Sequence, residues 1–150
     1  GHCLGGGCEL AMMCDLTIAA DDALFGEPEI RFSNVGPALI MPFVVGLKRA
    51  REMLYFGDPI DAQTALRYGM VNRVVPRAEL ETATLKYARR LALISPEALA
   101  ATKEAIDLEA ELDLESGLDH EAEAQAQLML GPDYKEGYLA FTEKRDPKFP

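Results

Sequence analysis

Three consecutive glycines, Gly5-Gly6-Gly7, lead directly into an apolar helical turn that carries a carboxylate, Glu9. Glycine lets the backbone approach a ligand closely and adopt positive φ. The free N–H groups at the start of a helix, together with the positive end of its dipole, attract negative charge. The segment therefore predicts a loop that holds an oxyanion, with Glu9 beside it for proton transfer. A purely structural turn is the alternative, since glycine-rich turns are common.

A second carboxylate of the same kind follows in the segment Glu27-Pro28-Glu29. Pro28 can open a helical turn, which would place Glu29 at an element boundary, as Glu9 is. Two carboxylates in apolar settings can share acid and base work, because burial and mutual repulsion raise carboxyl pKa values. The alternative is that Glu27 and Glu29 are solvated acids in a turn.

Size and charge limit the classes of function. The chain has 150 residues, 49% of them hydrophobic, which is enough to bury a core. It does not begin with Met, and we expect it to be the C-terminal part of a longer domain. The net charge of −10 argues against a nucleic-acid surface. No apolar run reaches membrane-spanning length, so we predict neither a nucleic acid nor a membrane as partner.

Three cysteines, Cys3, Cys8 and Cys14, lie close together near His2. Their spacing lacks C-x-x-C, and no second pair of ligands follows. We therefore predict no metal site. The cysteines are interpreted as small buried thiols of a cytoplasmic protein in a reducing compartment.

Periodicity divides the chain at residue 76 into a mixed part, 1–76, and a helical part, 77–150. In the mixed part, strands and helices alternate closely, which favours a tightly coiled α/β arrangement. The strands are expected at Leu16–Ala20, Ala23–Gly26 and Met70–Val75. The helices are expected at Gly7–Cys14, Val35–Val45 (kinked), Leu47–Phe56 and Ala62–Tyr68.

The helical part is predicted to contain long amphipathic helices. They are expected at Arg77–Ile94, Pro96–Leu112, Leu114–Leu130 and Asp133–Lys144, with Ser95 as the cap of the second. Residues 104–123 are densely acidic, which is typical of a solvated face. The apolar residues between these acids need burial elsewhere, so we expect these helices to pack on a partner subunit.

The opening residues, 1–15, closely resemble the signature of the crotonase (enoyl-CoA hydratase/isomerase) superfamily. The segment Phe25-Gly26-Glu27-Pro28-Glu29-Ile30 looks like the second catalytic segment of that family. Residues 57–75 and 136–145 are similar to its later blocks, so the resemblance spans essentially the whole chain. It implies a spiral of β-β-α turns over residues 1–76, followed by a helical trimerisation region over 77–150.

The resemblance also implies a function and a set of site residues. The substrate would be a coenzyme A thioester of fatty acid metabolism, with no cofactor besides the coenzyme A that the substrate carries. Gly6 would supply an oxyanion-hole N–H, Glu9 would act as base on a water molecule, and Glu29 would exchange the proton at the α-carbon. The residues expected at the substrate are Gly5, Gly7, Pro28, Phe141 and Lys144, the last two from a neighbouring subunit of a trimer or dimer of trimers.

The most direct prediction is an enoyl-CoA hydratase, because water and the α-carbon each need a proton-transfer partner. An enoyl-CoA isomerase, which can work with one carboxylate, and a non-catalytic thioester-binding or assembly subunit are the alternatives. The chain departs from the family's hydratases in one segment: Val35–Pro42 replaces their Pro-Gly-Ala-Gly-Gly run. That run borders the acyl pocket, so the acyl group stays open. The resemblance also implies that the other oxyanion donor and most of the coenzyme A site belong to the family's N-terminal half, so a chain of these residues alone is expected to be inactive.

Overall fold

A computed structural model describes residues 1–108 and 111–149, and the chain divides into two compact units, 1–85 and 86–150. The first unit mixes short strands with helices and the second is helical, which confirms the predicted α/β class. None of the helices in the described ranges is both long enough and apolar enough to cross a membrane.

The first unit contains short strands and helices in close alternation. The strands are β1 (His2–Leu4), β2 (Ile18–Ala20), β3 (Leu24–Gly26), β4 (Ile60–Asp61) and β5 (Arg73–Val75). The helices are α1 (Gly6–Met13), α2 (Ile40–Val45), α3 (Leu47–Phe56) and α4 (Ala62–Tyr68), with short 3-10 helices at Pro28–Phe32 and Arg77–Glu79. Helix α5 (Leu80–Leu91) crosses the boundary between the units.

Two small sheets organise this unit. In one, β1 pairs in parallel with β3, and β3 pairs antiparallel with β4. In the other, β2 pairs in parallel with β5. Because β1 and β3 run side by side in the same direction, the segments that follow them leave the sheet at the same edge. Those segments are the glycine loop with α1 and the 3-10 helix with Glu29.

A small hydrophobic core lies under this edge. Met41 of α2 and Cys8 of α1 are both fully buried, and Phe25 of β3 is 4% exposed. Cys8 therefore fits the predicted buried thiol, whereas Cys14 is exposed, and the prediction is wrong there. No group of metal-ligating side chains in the described residues includes these cysteines.

The second unit is built from α6 (Pro96–Leu108), α7 (Leu114–Leu130) and α8 (Pro132–Glu143). Ser95 caps α6 as predicted, accepting a hydrogen bond from the Ala98 N–H at 3.2 Å. The Ser95 hydroxyl also donates to Asp133 Oδ2 at 2.5 Å, and both residues are buried. This bond ties the start of α6 to the first turn of α8.

Several predicted elements have different bounds. The kinked helix expected at Val35–Val45 is helical only from Ile40, because Pro37 and Gly36 precede it in a non-helical segment. The helix expected at Arg77–Ile94 begins as a 3-10 turn and ends at Leu91. Helix α6, expected to end at about Leu112, is described to Leu108, and the Leu112 N–H still donates to the Leu108 carbonyl at 3.1 Å before Asp113 caps the next helix. Residues 109 and 110 lie outside the described ranges.

Candidate active site

The glycine loop meets the end of β3 directly. Gly5 lies between β1 and α1 with a φ of 55°, a value that favours glycine, and its N–H donates to the Gly26 carbonyl at 2.9 Å. This hydrogen bond extends the β1–β3 pairing by one step. The start of α1 is thereby fixed beside the segment that carries Glu27 and Glu29.

The start of α1 presents backbone donors. The N–H groups of Cys8 and Glu9 donate to the Gly5 carbonyl at 2.8 and 3.0 Å. The N–H groups of Gly6 and Gly7 lie in the first turn of α1, where a backbone N–H has no carbonyl of the same helix to bond. A methyl group built on Gly6 or Gly7 would meet no atom within 4 Å, so the backbone of the loop is uncovered on the side of these two Cα atoms within the described residues. This is the setting in which an anionic oxygen binds.

Three carboxyl groups converge beside these donors. Glu9, Glu27 and Glu29 each place one oxygen within 4.8 Å of the others. Glu9 comes from the first turn of α1, and Glu29 from the first turn of the 3-10 helix that Pro28 opens. The structure thus brings together the two glutamates that the sequence predicted, and adds Glu27 to them.

Glu27 is the least exposed of the three, with 1% of its surface accessible. Its pKa is raised to about 7, chiefly by burial and to a smaller extent by the nearby Glu29 and Glu9, while the Cys8 thiol opposes the rise. Burial, with the neighbouring Glu27 charge as a smaller cause, also raises the pKa of the Cys8 thiol. The alternative that Glu27 is a solvated turn acid is therefore wrong.

Glycines allow the carboxyl groups to lie this close to the backbone. A methyl group built on Gly5 would lie 2.6 Å from Glu29 Oε1, closer than real contacts allow. One built on Gly36 would lie 3.0 Å from Leu54 Cδ2, 3.5 Å from Glu27 Cβ and 3.7 Å from Glu29 Oε2. Gly5 and Gly36 therefore cover opposite oxygens of Glu29.

The backbone of Glu29 is held in place as well. Its carbonyl accepts a hydrogen bond from the Asn34 N–H at 3.1 Å. Ser33, with a φ of 57°, ends the 3-10 helix in the left-handed region. An ion pair between Arg31 and Asp58 ties the same short helix to the loop before β4. These contacts limit the positions that the Glu29 carboxylate can take.

Of the other predicted substrate residues, Pro28 lies between two of these glutamates, whereas Phe141 and Lys144 lie far along the chain. Phe141 is 83% exposed near the end of α8, and Lys144 caps that helix with a φ of 54°. Both belong to the second unit, whereas Pro28 lies between Glu27 and Glu29. Roles for these three residues stay predictions.

Sequence reasoning missed Glu27 as a member of the site. It assigned the catalytic role to Glu29 and named Glu27 only in the alternative, as a solvated acid in a turn. The available signal was the register: Glu27 directly follows β3, whose parallel partner β1 leads into the glycine loop. The parallel pairing could not be predicted, because β1 has only three residues and no clear strand pattern.

The arrangement can stabilise a negative oxygen, hold a water molecule and move protons. Three carboxylates at this spacing are also a donor set that a divalent cation accepts. A proton on one of them relieves the same repulsion without a cation, and the raised pKa of Glu27 points to that solution.

Comparison with known proteins gives a consistent result. The family model described as enoyl-CoA hydratase/isomerase matches residues 1–150. The chain is 39% identical over 150 residues to a protein of Dictyostelium discoideum named "Probable enoyl-CoA hydratase, mitochondrial", covering 98% of this chain and 54% of that protein. It is 39% identical over 152 residues to the crotonyl-CoA hydratase of Syntrophomonas wolfei, covering 99% of this chain and 58% of that one.

A solved structure agrees at the level of the fold. The crystal structure of an enoyl-CoA hydratase from Bacillus anthracis superposes with a TM-score of 0.95 at 38% identity, covering 99% of this chain and 59% of that one. The chain therefore spans a little over half the length of the proteins that it matches.

Proposed function

The chain belongs to the enoyl-CoA hydratase/isomerase family, and on that premise we propose that the whole protein adds water to the double bond of a 2-enoyl-CoA thioester. The observation that carries the proposal is the convergence of Glu9 and Glu29 within 4.8 Å, beside the open start of α1. The names of the relatives from Dictyostelium and Syntrophomonas support the same reaction.

Water addition requires three things of the site. Negative charge develops on the thioester oxygen, and in this proposal the Gly6 N–H donates to it, with Gly5 and Gly7 shaping the loop. Glu9 takes a proton from the water as its oxygen bonds to the β-carbon, and Glu29, which starts the cycle carrying a proton, gives that proton to the α-carbon. Return of the proton from Glu9 to Glu29 resets the site, so the net change is the addition of one water molecule. No cofactor takes part beyond the coenzyme A of the substrate.

Apolar side chains near the site suit an acyl chain. Val35 and Leu39 are 77% and 84% exposed in the segment between the 3-10 helix and α2. Pro28 lies beside the carboxyl groups, and we propose that it contacts the substrate. Phe141 and Lys144 would bind coenzyme A from a neighbouring subunit, since an exposed aromatic ring and a cation suit its adenine and phosphates.

We further propose that the protein assembles as a trimer or a dimer of trimers and works in the cytoplasm in fatty acid metabolism. Large apolar side chains of the helical unit are exposed, which supports assembly: Leu114 is 80% exposed and Leu130 is 90% exposed. The free thiols of Cys3, Cys8 and Cys14 fit a reducing compartment.

The proposal is tested with the whole protein and crotonyl-CoA. We expect the absorbance of the conjugated thioester to fall as 3-hydroxybutyryl-CoA forms. A 3-enoyl-CoA substrate is the control. If it is converted to the 2-enoyl isomer and neither thioester is hydrated, the protein is an isomerase and not a hydratase. Calorimetric binding of the thioester without any turnover would instead identify a non-catalytic subunit.

A further inference from the structure

Glu27 is a buried carboxyl group that the reaction above does not use. Both of its oxygens are buried, and neither has a hydrogen-bond partner in the part of the chain that the structure describes. Glu29 Oε2 is also buried and has no hydrogen-bond partner among the described residues. A buried polar atom without a partner is costly, so three of them at one place require an explanation.

The groups that face Glu27 do not provide it with a counter-charge. They are the Cys3 and Cys8 thiols, from β1 and α1, and the carboxyl groups of Glu9 and Glu29. A thiol is only a weak donor, and an ionised carboxylate is an acceptor only. Ionised Glu27 would therefore add a second negative charge beside ionised Glu9, in a cluster whose oxygens lie within 4.8 Å of one another.

One proton on Glu27 removes this repulsion and supplies the missing hydrogen-bond donor. A protonated carboxyl group has one O–H donor and keeps an acceptor oxygen. One oxygen of Glu27 and one of Glu29 lie within 4.8 Å of each other. With a proton on Glu27, its O–H is a donor that the buried Glu29 Oε2, which has no other partner in the described residues, can accept. Burial, which raises the pKa of Glu27 to about 7, makes this neutral form available.

We propose that Glu27 is a positioning residue that acts in its neutral form: its O–H donates to Glu29 Oε2 and holds Glu29 with Oε1 toward the substrate. Glu29 Oε1 is the oxygen beside Gly5, on the side of the glycine loop. This inference rests on the proposed hydration reaction and extends it with a third carboxyl group and a pH dependence. Glu27 itself touches neither the water nor the thioester.

The proposal predicts how activity changes with pH. Below pH 7 Glu27 is neutral and the donor is present; as the pH rises through about 7, Glu27 ionises, the donor is lost and repulsion grows. In the whole protein, kcat for crotonyl-CoA should therefore fall as the pH rises through this range. KM should change little, because Glu29 acts on the α-carbon and does not hold coenzyme A.

Two variants separate donation from packing. In Glu27→Gln the amide donates the same hydrogen bond and cannot ionise, so kcat at pH 6 should stay within about threefold of the native value and the fall near pH 7 should disappear. In Glu27→Leu the donor is absent, and kcat should drop about tenfold or more at every pH. A fall near pH 7 that persists in Glu27→Gln, or equal losses in both variants, would overturn the proposal.

A second readout does not depend on activity. The infrared band of protonated carboxyl groups should be stronger in the native protein at pH 6 than in Glu27→Gln, and the difference between the two should disappear as the pH rises through about 7. If the protein shows no hydration but this titration is found, the proposed hydration reaction is wrong, whereas the proposal of a neutral Glu27 carboxyl group is retained. A chelator should leave the native pH profile as it is; a loss of activity that Mg²⁺ restores would assign the carboxyl cluster to a metal instead.

Discussion

At the scale of single residues, the site depends on how closely backbone and carboxyl groups approach. Gly5 is the position where this is most restrictive, because its φ of 55° and its distance to Glu29 both exclude a side chain. Glu27 lies behind the pair Glu9 and Glu29, where burial gives it a different pKa from an exposed glutamate. Three residues of one type thus have different chemistry because their surroundings differ.

Replacement of Gly5 by alanine should damage the site more than it damages the fold. The new methyl group would lie 2.6 Å from Glu29 Oε1 and would displace this carboxylate, so we expect kcat to fall about a hundredfold. Gly46→Ala is the matched control, since Gly46 also has positive φ, at 80°, but its methyl group would meet nothing within 4 Å. Both variants should lose about 1 kcal/mol of stability from backbone strain. Equal kcat values in the two variants would contradict this role of Gly5.

At the scale of elements, helix bounds were predictable where capping residues mark them. Helix α3 ends at Phe56 before Gly57 at a φ of 64°, as predicted, and α4 begins after Asp61, whose side chain accepts from the Thr64 N–H at 2.6 Å. Local rules were enough because each signal acts within one turn. Strands β1 and β4 were missed, because strands of two or three residues are defined by their partners.

The site was predictable in part for the same reason. Gly6, Glu9 and Glu29 lie at element starts that local signals mark, and their resemblance to a family placed them in one site. The burial of Glu27 depends on packing between α1 and the end of β3, which no local pattern contains. The hydrogen bond between Ser95 and Asp133 spans 38 positions and was unpredictable for the same reason.

Ser95→Ala should destabilise the helical unit. The substitution removes the cap of α6 and leaves the buried Asp133 without its hydroxyl donor, so we expect the free energy of unfolding to fall by about 1–3 kcal/mol. Thr102→Ala is the control, because it removes a hydroxyl group that is exposed and bonds only within α6, at a cost of about 0.5 kcal/mol or less. Chemical denaturation of the whole protein measures both. If Ser95→Ala loses no more unfolding free energy than Thr102→Ala, the hydrogen bond between Ser95 and Asp133 does not stabilise the helical unit.

At the scale of the whole molecule, the exposed apolar side chains support the proposed assembly. Leu130 at the end of α7 is 90% exposed, so replacing it should cost the chain's own packing little. We expect light scattering to give the native protein a molar mass that is a multiple of the monomer mass. In Leu130→Glu the measured mass should shift toward that of the monomer. Gln127→Glu, which places the same charge at an exposed polar position of α7, should leave the mass unchanged. A native protein that is monomeric at micromolar concentration would exclude the proposed assembly.

The central claim is that Glu9 and Glu29 act together in one hydration reaction, Glu9 on the water and Glu29 on the α-carbon. The most direct measurement is kcat for hydration of crotonyl-CoA by the whole protein carrying Glu9→Gln or Glu29→Gln. Each substitution keeps the shape of the side chain and removes its ability to transfer a proton. We predict a loss of about a hundredfold or more in each, with a combined loss in the double variant smaller than the product of the two. The control, Glu79→Gln on an exposed 3-10 turn, should match the native enzyme. Native kcat in both single variants would contradict the two-carboxylate account.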